Sequence, residues 1–209
     1  FLSKSKYLSG LQCSRLLWHH YNARDTFPPV GQSTQALFDQ GHLVGELARS
    51  AFPGGIEVGG EGRDFRTALQ STREHLSVRK PLFEAAFGYK NAFARADILN
   101  PVGRNQWDII EVKSSTSVKE INLDDLAIQK YTYEGAGLQI RRCILMHINN
   151  EYVRKGKINL DELFIRRDVT KEVDALLPRV EQDLDAMIRV IRQKKSPEVP
   201  IGPHCSDPF

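Results

Sequence analysis

The centre of the sequence contains closely spaced apolar segments of strand length, and their order limits the chain to a few folds. Residues 82–89, 92–99 and 107–113 are short runs rich in apolar and β-branched residues, a pattern typical of strands. The cluster Asn100-Pro101-Val102-Gly103 contains strong strand breakers, so it predicts that the second strand ends there. We therefore expect the second and third strands to pair as a β-hairpin.

A helix is predicted after the third strand, from its N-cap Asn122 to about Gly135 or Gly137. Residues 142–148 form another compact apolar strand. Because a strand, a helix and a strand in succession make a crossover connection, we expect residues 142–148 to run parallel to 107–113. The pattern predicts an α/β fold with a mixed central sheet.

Further helices are predicted on both sides of this centre, and weaker strand patterns lie between them. The helices cover about Thr34 to Phe52, about Asp64 to Leu76 and Lys171 to about Gln193, and the weaker strands cover 151–154 and 164–169. A chain of 209 residues with 41% hydrophobic residues can bury one sizeable core. We therefore expect a single domain over residues 1–209, with helices flanking the sheet and helical additions at both termini.

The predicted hairpin carries three charged residues that suggest chemistry. Glu111 and Lys113 are two residues apart and so project from the same face of their strand, while the hairpin brings Asp97 close to Glu111. Two close carboxylates repel unless one is protonated or a cation lies between them, and Mg²⁺ or Mn²⁺ prefers oxygen ligands and keeps waters that can attack a phosphodiester. Lys113 can orient or deprotonate such a water, or stabilise transition-state charge. An ordinary salt-bridged hairpin end explains the same residues.

His42 is the candidate nitrogen ligand. Gly41, Gly45 and Ala48 form a small-residue face of its predicted helix, which would let the helix approach the sheet and bring His42 towards the carboxylates. Glu46 follows one turn later and can orient the imidazole, a common arrangement at metal sites. A polar helix residue without this role is the alternative for His42.

Two further groups of polar residues lie close to these candidates in the sequence. Gln129 and Tyr133 are four residues apart and share one face of the predicted central helix, whose first turn would hold Asp124 and Asp125. Glu84 is an unexpected charge in an apolar strand. It either approaches the metal or its waters, or forms a salt bridge with an arginine.

Taken in order, these elements resemble the PD-(D/E)XK nuclease superfamily, specifically the RecB-like branch that includes CRISPR-associated exonucleases with an iron–sulfur cluster. The resemblance covers nearly the whole chain. It is carried by Cys13, His42, Asp97 in Arg95-Ala96-Asp97-Ile98, Glu111-Val112-Lys113, Gln129 to Tyr133, and Cys205. The proline of the family name is replaced by Ala96, a position that varies in the RecB-like branch.

The resemblance implies a restriction-endonuclease-like core and a role for each matching residue. His42, Asp97, Glu111 and the carbonyl group of Val112 would bind Mg²⁺ or Mn²⁺. Lys113 would be catalytic, and Gln129 and Tyr133 would position the site or the substrate.

The cysteines differ in their surroundings. Cys143 lies inside an apolar strand and is most simply a small buried hydrophobic residue. Cys13 and Cys205 lie in the polar terminal segments 1–30 and 197–209, where a metal-linked or an incidental role is expected rather than a disulfide. The resembled family holds its cluster with one N-terminal and three C-terminal cysteines. This chain shows only the first of those three, so the resemblance implies a cluster only in a longer form, with Cys13 and Cys205 close together.

Charge permits a nucleic-acid partner without requiring one. The formal net charge is +3, and basic residues cluster near the N-terminus and after the central helix, as Lys4, Lys6 and Arg15 and as Arg141, Arg142, Arg154, Lys155 and Lys157. Solvated surface is the alternative for each cluster. With neither a long apolar run nor a leader pattern, we expect a cytoplasmic protein without a membrane partner. The chain begins with Phe1, which suggests a trimmed domain that continues after Phe209.

The function expected from the sequence is that of a metal-dependent deoxyribonuclease, an exonuclease acting on single-stranded DNA or DNA ends. One alternative is a non-catalytic nucleic-acid-binding module of the same fold, which would serve a protein partner or a further C-terminal domain. Another is an endonuclease that trims DNA for CRISPR adaptation. The intact set of Asp97, Glu111 and Lys113 favours an enzyme.

Overall fold

The computed structural model describes residues 1–59 and 64–205 of the protein and shows an α/β fold built on a mixed sheet. The strands are β1 (Leu2–Ser3), β2 (Ile56–Glu57), β3 (Leu82–Tyr89), β4 (Ala92–Val102), β5 (Gln106–Lys113), β6 (Gln139–Ile148) and β7 (Phe164–Asp168). The helices are α1 (Lys4–Gln12), α2 (Ser14–Asn22), α3 (Gln32–Ser50), α4 (Phe65–His75), α5 (Glu120–Gly135), α6 (Leu160–Leu163) and α7 (Thr170–Ile191). The predicted fold class is confirmed.

The sheet has seven strands in the order β2-β3-β4-β5-β6-β7, with β1 paired to β4 off this path. Strands β3, β4 and β5 are antiparallel neighbours, so the predicted hairpin is present. Strand β6 is parallel to β5, as expected for a crossover through α5, and β7 returns antiparallel to β6. Residues 151–154 lie outside the strands, so the strand predicted there is wrong.

Strand β4 continues through the cluster that was predicted to end it. Pro101 lies inside the strand, opposite Trp107 of β5, and the turn comes at Gly103, which has a φ of 54°. The strand tolerates proline here because β3 begins at Leu82, opposite Leu99. Beyond Leu99 one edge of β4 has no β3 partner, and a missing N–H on that edge breaks no ladder hydrogen bond.

Helix α5 begins earlier than its sequence predicts. Its N-cap is Lys119, and Asn122 lies in the first turn, where its side-chain oxygen accepts a hydrogen bond from the Lys119 N–H at 2.9 Å. The predicted cap at Asn122 is therefore wrong, although the residue does satisfy an N-terminal backbone donor. Asp124 and Asp125 consequently lie one turn further into the helix and are free to make tertiary contacts.

Helices cover both faces of the sheet and divide the core into two clusters. The larger cluster lies on the face covered by α1, α2, α5 and α7 and includes Cys143, which is fully buried as predicted. The smaller cluster lies under α3, where Val44 and Ala48 pack with Phe83, Ile98 and Ile110. None of the helices described is long and apolar enough to cross a membrane.

A paired irregularity in β3 and β4 interrupts the regular alternation of side chains. In β3, Leu82 and Ala85 are three residues apart yet both belong to the larger core cluster, and Ala96 and Leu99 repeat this spacing in β4. Strict alternation would place residues two apart on the same face. The extra residues are Glu84, whose φ is 56°, and Asp97, which stands opposite it. Both residues are therefore displaced from the two regular faces of the sheet.

Candidate active site

Asp97 lies in a gap along one edge of β4. Strand β5 pairs with this edge only from Ile98 onwards, whereas β1 pairs with its beginning, at Ala92 and Phe93. Between the two strands, the backbone N–H of Val112 donates to Asp97 Oδ2 at 2.7 Å in place of a ladder hydrogen bond. The N-terminal segment and the end of β5 thus meet beside Asp97.

Glu111 is buried at the centre of a hydrogen-bonded network. Lys4, which directly follows β1, donates from Nζ to both carboxylate oxygens at 2.9 and 3.1 Å. Lys113 Nζ donates to Oε1 at 2.8 Å, and Gln129 Nε2 donates to Oε2 at 2.8 Å. The predicted proximity of Glu111 and Lys113 on one strand face is present, and Gln129 reaches the same carboxylate from α5.

Asp125 joins the same network and was not predicted as a site residue. Its carboxylate accepts from Lys113 Nζ at 2.6 Å and from Gln129 Nε2 at 2.9 Å, and Lys4 Nζ lies 3.3 Å away. From the sequence, Asp125 is expected only to interact favourably with the helix dipole, and Lys4 only to belong to a basic cluster. One available signal is that Asp125 precedes Gln129 by four residues and shares its helix face.

Burial and neighbouring charges set the protonation of the three carboxylates. Burial, followed by the adjacent Asp125 and Asp97, raises the pKa of Glu111 to about 7. Burial also raises the pKa of Asp97, and Lys4 and Lys113 only partly offset this. For Asp125 the outcome is opposite, because the two ammonium groups outweigh burial and hold its pKa well below the usual range. Three carboxylates share two ammonium groups, so the site attracts further positive charge.

The same network keeps Lys113 protonated. Burial alone would favour the neutral amine, but Glu111 and Asp125 raise the pKa of Lys113 above its ordinary value. A lysine in this state is a donor and a source of positive charge. Of the two tasks predicted for Lys113, the arrangement favours orientation and charge stabilisation over proton abstraction.

Tyr133 is fully buried and contacts the strands rather than open space. Its hydroxyl group donates to the Ala85 carbonyl and accepts from the Ala96 N–H, the latter at 2.7 Å. These residues follow Glu84 and precede Asp97, so Tyr133 fixes the irregular part of β3 and β4. Of the two predicted alternatives, these contacts favour a positioning role for Tyr133 over contact with a substrate.

A cavity of about 510 Å³ lies between α3 and the sheet. Its lining includes His42, Gly45, Glu84, Asp97 and Val112. His42 therefore faces the same space as Asp97, although its own side chain is exposed on α3.

The prediction that the small-residue face of α3 lies close to the sheet is only partly confirmed. Ala48 is fully buried against the sheet. A Cβ atom placed on Gly41 or Gly45, however, would meet nothing within 4 Å. The two glycines border open space in front of Asp97 instead of bringing α3 onto the sheet.

Glu84 forms the arginine salt bridge that was one of its two predicted alternatives. Arg49 of α3 lies 2.8 Å from Glu84 Oε1 and also pairs with Glu57. Burial nevertheless raises the pKa of Glu84, with Arg49 opposing the shift. Glu84 and its partner Arg49 both line the cavity that Asp97 lines, so the charge of Glu84 is paired at the cavity wall.

The donor chemistry of the site suits a hard divalent cation, but the ligands are not preassembled. Asp97, Glu111 and the Val112 carbonyl group supply oxygen, and His42 supplies nitrogen. In residues 1–59 and 64–205, however, no three His, Cys, Asp or Glu side chains are close enough together to hold an ion. The oxygens of Glu111 are engaged by Lys4, Lys113 and Gln129. Gln129 Oε1 is buried and has no hydrogen-bond partner among the described residues, which leaves one acceptor for a further group.

The structure also brings the two terminal segments together. Gln12 Nε2 donates to the His204 carbonyl at 2.9 Å, and these residues directly precede Cys13 and Cys205. Cys13 is partly exposed, and Cys205 is exposed with its sulfur 3.5 Å from His204 Nε2. Residues 206–209 of the predicted C-terminal segment lie outside the described part of the chain.

The basic residues after α5 separate into two groups. Arg141 pairs with Asp108 and Arg142 with Asp168, so these two contribute to the sheet and its border. Arg154, Lys155 and Lys157 lie in the exposed loop that follows β6. Strand β6 is parallel to β5, so this loop leaves the same end of the sheet as Lys113.

Comparisons with known proteins add no assignment. No protein-family model matches the chain, and no curated protein matches it.

Proposed function

We propose that the protein is a metal-dependent nuclease that hydrolyses DNA phosphodiester bonds, acting on single strands or DNA ends. The observation that carries this proposal is the arrangement of Asp97, Glu111 and Lys113 around the interrupted edge of β4, where Asp97 lines an open cavity. It is supported by the resemblance to RecB-like PD-(D/E)XK nucleases. A salt-bridged hairpin end would need neither the surplus of buried carboxylates nor the cavity beside it.

The proposed metal ligands are Asp97, Glu111, the Val112 carbonyl group and His42. Asp97, Val112 and His42 line the cavity, and Glu111 lies behind it in the buried network. A bound Mg²⁺ or Mn²⁺ ion would supply Lewis-acid stabilisation of the negative charge on the phosphate group. The surplus of carboxylates over ammonium groups favours the uptake of such a cation.

The chain's own cations and amide have separate roles. Lys113 donates to Glu111 and remains protonated, so it can hold a water or neutralise a phosphate oxygen as charge develops. Lys4 and Gln129 hold Glu111 and Asp125 in fixed positions. Tyr133 maintains the backbone that presents Asp97.

The experiment that tests the proposal compares cleavage of linear and circular single-stranded DNA with Mn²⁺, with Mg²⁺ and in excess chelator. We expect cleavage only with a divalent ion, and losses of at least about 100-fold for Asp97→Asn, Glu111→Gln and Lys113→Met, as is typical for a lost electrostatic stabiliser. Asp108→Asn is the matched control, because Asp108 is a buried carboxylate of β5 that pairs with Arg141 outside the site. Undiminished cleavage in chelator, or full activity of Lys113→Met, would refute the proposed mechanism. Cleavage confined to linear DNA would identify an exonuclease.

A further inference from the structure

Lys4 interacts with both of the carboxylates that are proposed as metal ligands. Its ammonium group donates to the two Glu111 oxygens at 2.9 and 3.1 Å. Lys4 and Asp97 also line a second cavity, which has a volume of about 290 Å³ and includes Glu84 in its lining. Burial raises the pKa of Asp97, and among the charges that oppose this shift Lys4 has the largest effect, ahead of Lys113. The positive charge of Lys4 is therefore placed where it acts on both proposed ligands.

The charges of the network balance with one ammonium group and a divalent ion, but not with two ammonium groups and that ion. Asp97, Glu111 and Asp125 carry three negative charges when all of them are ionised. The ammonium group of Lys113 and a divalent ion together carry three positive charges. The ammonium group of Lys4 would then be surplus, next to carboxylates that are buried. Because like charges repel strongly where water is excluded, a metal ion on Glu111 competes with Lys4.

Of the two ammonium groups, that of Lys4 is held less closely. Lys113 Nζ lies 2.6 Å from an Asp125 oxygen and 2.8 Å from a Glu111 oxygen. Lys4 Nζ lies 3.3 Å from Asp125 and no closer than 2.9 Å to Glu111. Lys113 lines a different cavity together with Asp125, and Asp97 does not contribute to it. The cation that a metal ion between Asp97 and Glu111 would displace is therefore Lys4.

The second cavity gives the displaced ammonium group a place to move. The Lys4 side chain is 22% exposed and lines this cavity together with Glu84. Arg49 contacts Glu84 Oε1, yet burial raises the pKa of Glu84, with Arg49 and then Lys4 opposing the shift. Glu84 therefore still gains from a second cation. Leu2 and Tyr7 anchor the backbone on both sides of Lys4, and the long, flexible lysine side chain can turn towards Glu84 on its own.

We propose that Lys4 is a competing cation at the metal site: a divalent ion binds Asp97 and Glu111 as the Lys4 ammonium group turns away, so Lys4 lowers the affinity for the metal. The inference rests on the metal site of the proposed function. It predicts a direction that distinguishes it from a purely structural role. If Lys4 only held the carboxylates in position, its removal would weaken metal binding, whereas removal of a competing cation strengthens it.

The test measures Mn²⁺ binding by isothermal titration calorimetry without DNA. In the wild type, metal binding has to break charge-assisted hydrogen bonds of Lys4, and Lys4→Met has none to break. We therefore expect Lys4→Met to bind Mn²⁺ about tenfold more tightly, the factor expected for one such bond. Lys6→Met is the matched control, because Lys6 lies in the same helix and contacts His20, and it should bind like the wild type. Asp97→Asn should lose this binding, which identifies the titrated site. Equal or weaker Mn²⁺ binding by Lys4→Met would overturn the proposal.

A second measurement uses the wild-type protein and keeps the proposal testable if Lys4→Met fails to fold. Acetylation of the lysine amines, located by mass spectrometry, reports how accessible each ammonium group is. Saturating Mn²⁺ should raise the acetylation of Lys4, leave that of Lys113 low and leave that of Lys6 unchanged. Acetylation of Lys4 that does not rise with Mn²⁺ would overturn the proposal, as would a rise at Lys113 instead.

These readouts separate the role of Lys4 from the nuclease function. Tighter Mn²⁺ binding by Lys4→Met in a protein that never cleaves DNA would support the competing cation and refute the catalytic function. Cleavage that requires Mn²⁺, combined with equal Mn²⁺ affinities of Lys4→Met and the wild type, would overturn the competing cation and leave the nuclease in place.

Discussion

Replacing Lys4 by methionine tests whether the N-terminal segment holds the buried carboxylates together. Methionine keeps an unbranched apolar side chain but removes an ammonium group that lies 2.9 and 3.1 Å from the Glu111 oxygens and 3.3 Å from Asp125. Three carboxylates, those of Asp97, Glu111 and Asp125, would then share Lys113 alone. The substitution should therefore destabilise the folded state by electrostatic repulsion and by loss of hydrogen bonds.

The size of the destabilisation caused by Lys4→Met can be estimated from the burial of the Lys4 ion pair. Removing one partner of a buried ion pair typically costs about 3–5 kcal/mol of unfolding free energy. The Lys4 side chain retains 22% of its exposure and Lys113 remains in place, so a value of about 2–3 kcal/mol is more appropriate here. For a chain of this size such a loss lowers the melting temperature by roughly 4–12 °C. Thermal unfolding in chelator, which removes metal binding as a variable, measures the difference.

The loss of unfolding free energy caused by Lys4→Met should also depend on pH, in a direction that follows from the pKa of Glu111. In the wild type the pKa of Glu111 is raised to about 7, above the value of about 4.3 for an unfolded chain. A carboxyl group with a raised folded-state pKa stabilises the fold when protonated, and this contribution is lost as pH rises from 4.3 through 7. Lys4 lowers the pKa of Glu111, so its removal raises that pKa further. The Lys4→Met deficit should therefore be larger at pH 8 than at pH 5.5.

Lys6→Met is the matched control, since it makes the same change in the same helix at a residue that contacts His20 instead of the carboxylates. It should alter the melting temperature much less than Lys4→Met does. A Lys4→Met melting temperature within about 1 °C of the wild type at pH 8 would refute the reasoning, as would a deficit that is equal at both pH values.

Two further predictions concern the backbone around Asp97 and Glu84. Tyr133→Phe should lower the unfolding free energy by about 2–3 kcal/mol in denaturant titrations, because it leaves two buried backbone groups without their partner. Tyr131→Phe should be nearly neutral, because no described residue forms a hydrogen bond with its buried hydroxyl group. Gly59→Ala should be strongly destabilising, since the added Cβ would lie 2.0 Å from the Glu84 carbonyl oxygen. Gly45→Ala should raise the melting temperature, because its Cβ meets open space and alanine is more favourable than glycine in a helix by about 1 kcal/mol. A stable Gly59→Ala protein or a destabilised Tyr131→Phe protein would contradict these assignments.

The local sequence pattern predicts most of the sheet correctly, and the predictions that are wrong depend on tertiary contacts. Strand β3 has the predicted bounds, and β6 is parallel to β5 because a crossover through a helix leaves little choice. The prediction that β4 ends near Pro101 is wrong because a proline ends a strand only where a neighbouring strand needs its N–H, and β3 begins opposite Leu99. The N-cap of α5 is Lys119 and not the predicted Asn122, because several polar residues near a helix start can accept a hydrogen bond from the same backbone donors.

The candidate site likewise contains contacts that the local sequence predicts and contacts that it does not. A hairpin brings Asp97 close to Glu111 because the two residues lie fourteen positions apart on adjacent strands, so local sequence suffices. Lys4 is 107 residues away from Glu111, and no period or motif connects them. Asp125 carries one local signal, its four-residue spacing from Gln129, but its contact with Lys113 arises from the packing of α5 against the sheet. Residues that meet only through the tertiary fold leave no local signal.

The contact of Lys4 with the site links the terminal segments to the chemistry. Helix α1 begins at Lys4, which binds Glu111, and ends at Gln12, which binds the carbonyl group of His204. Nine helical residues span only about 13 Å, and a helix of this length moves as a rigid unit. Any group that fastens Cys13 to the C-terminal segment would therefore hold Lys4 against the carboxylates as well. Such a group can stabilise the network around Glu111 without contacting its residues, because the helix transmits the position of its C-terminal end to Lys4.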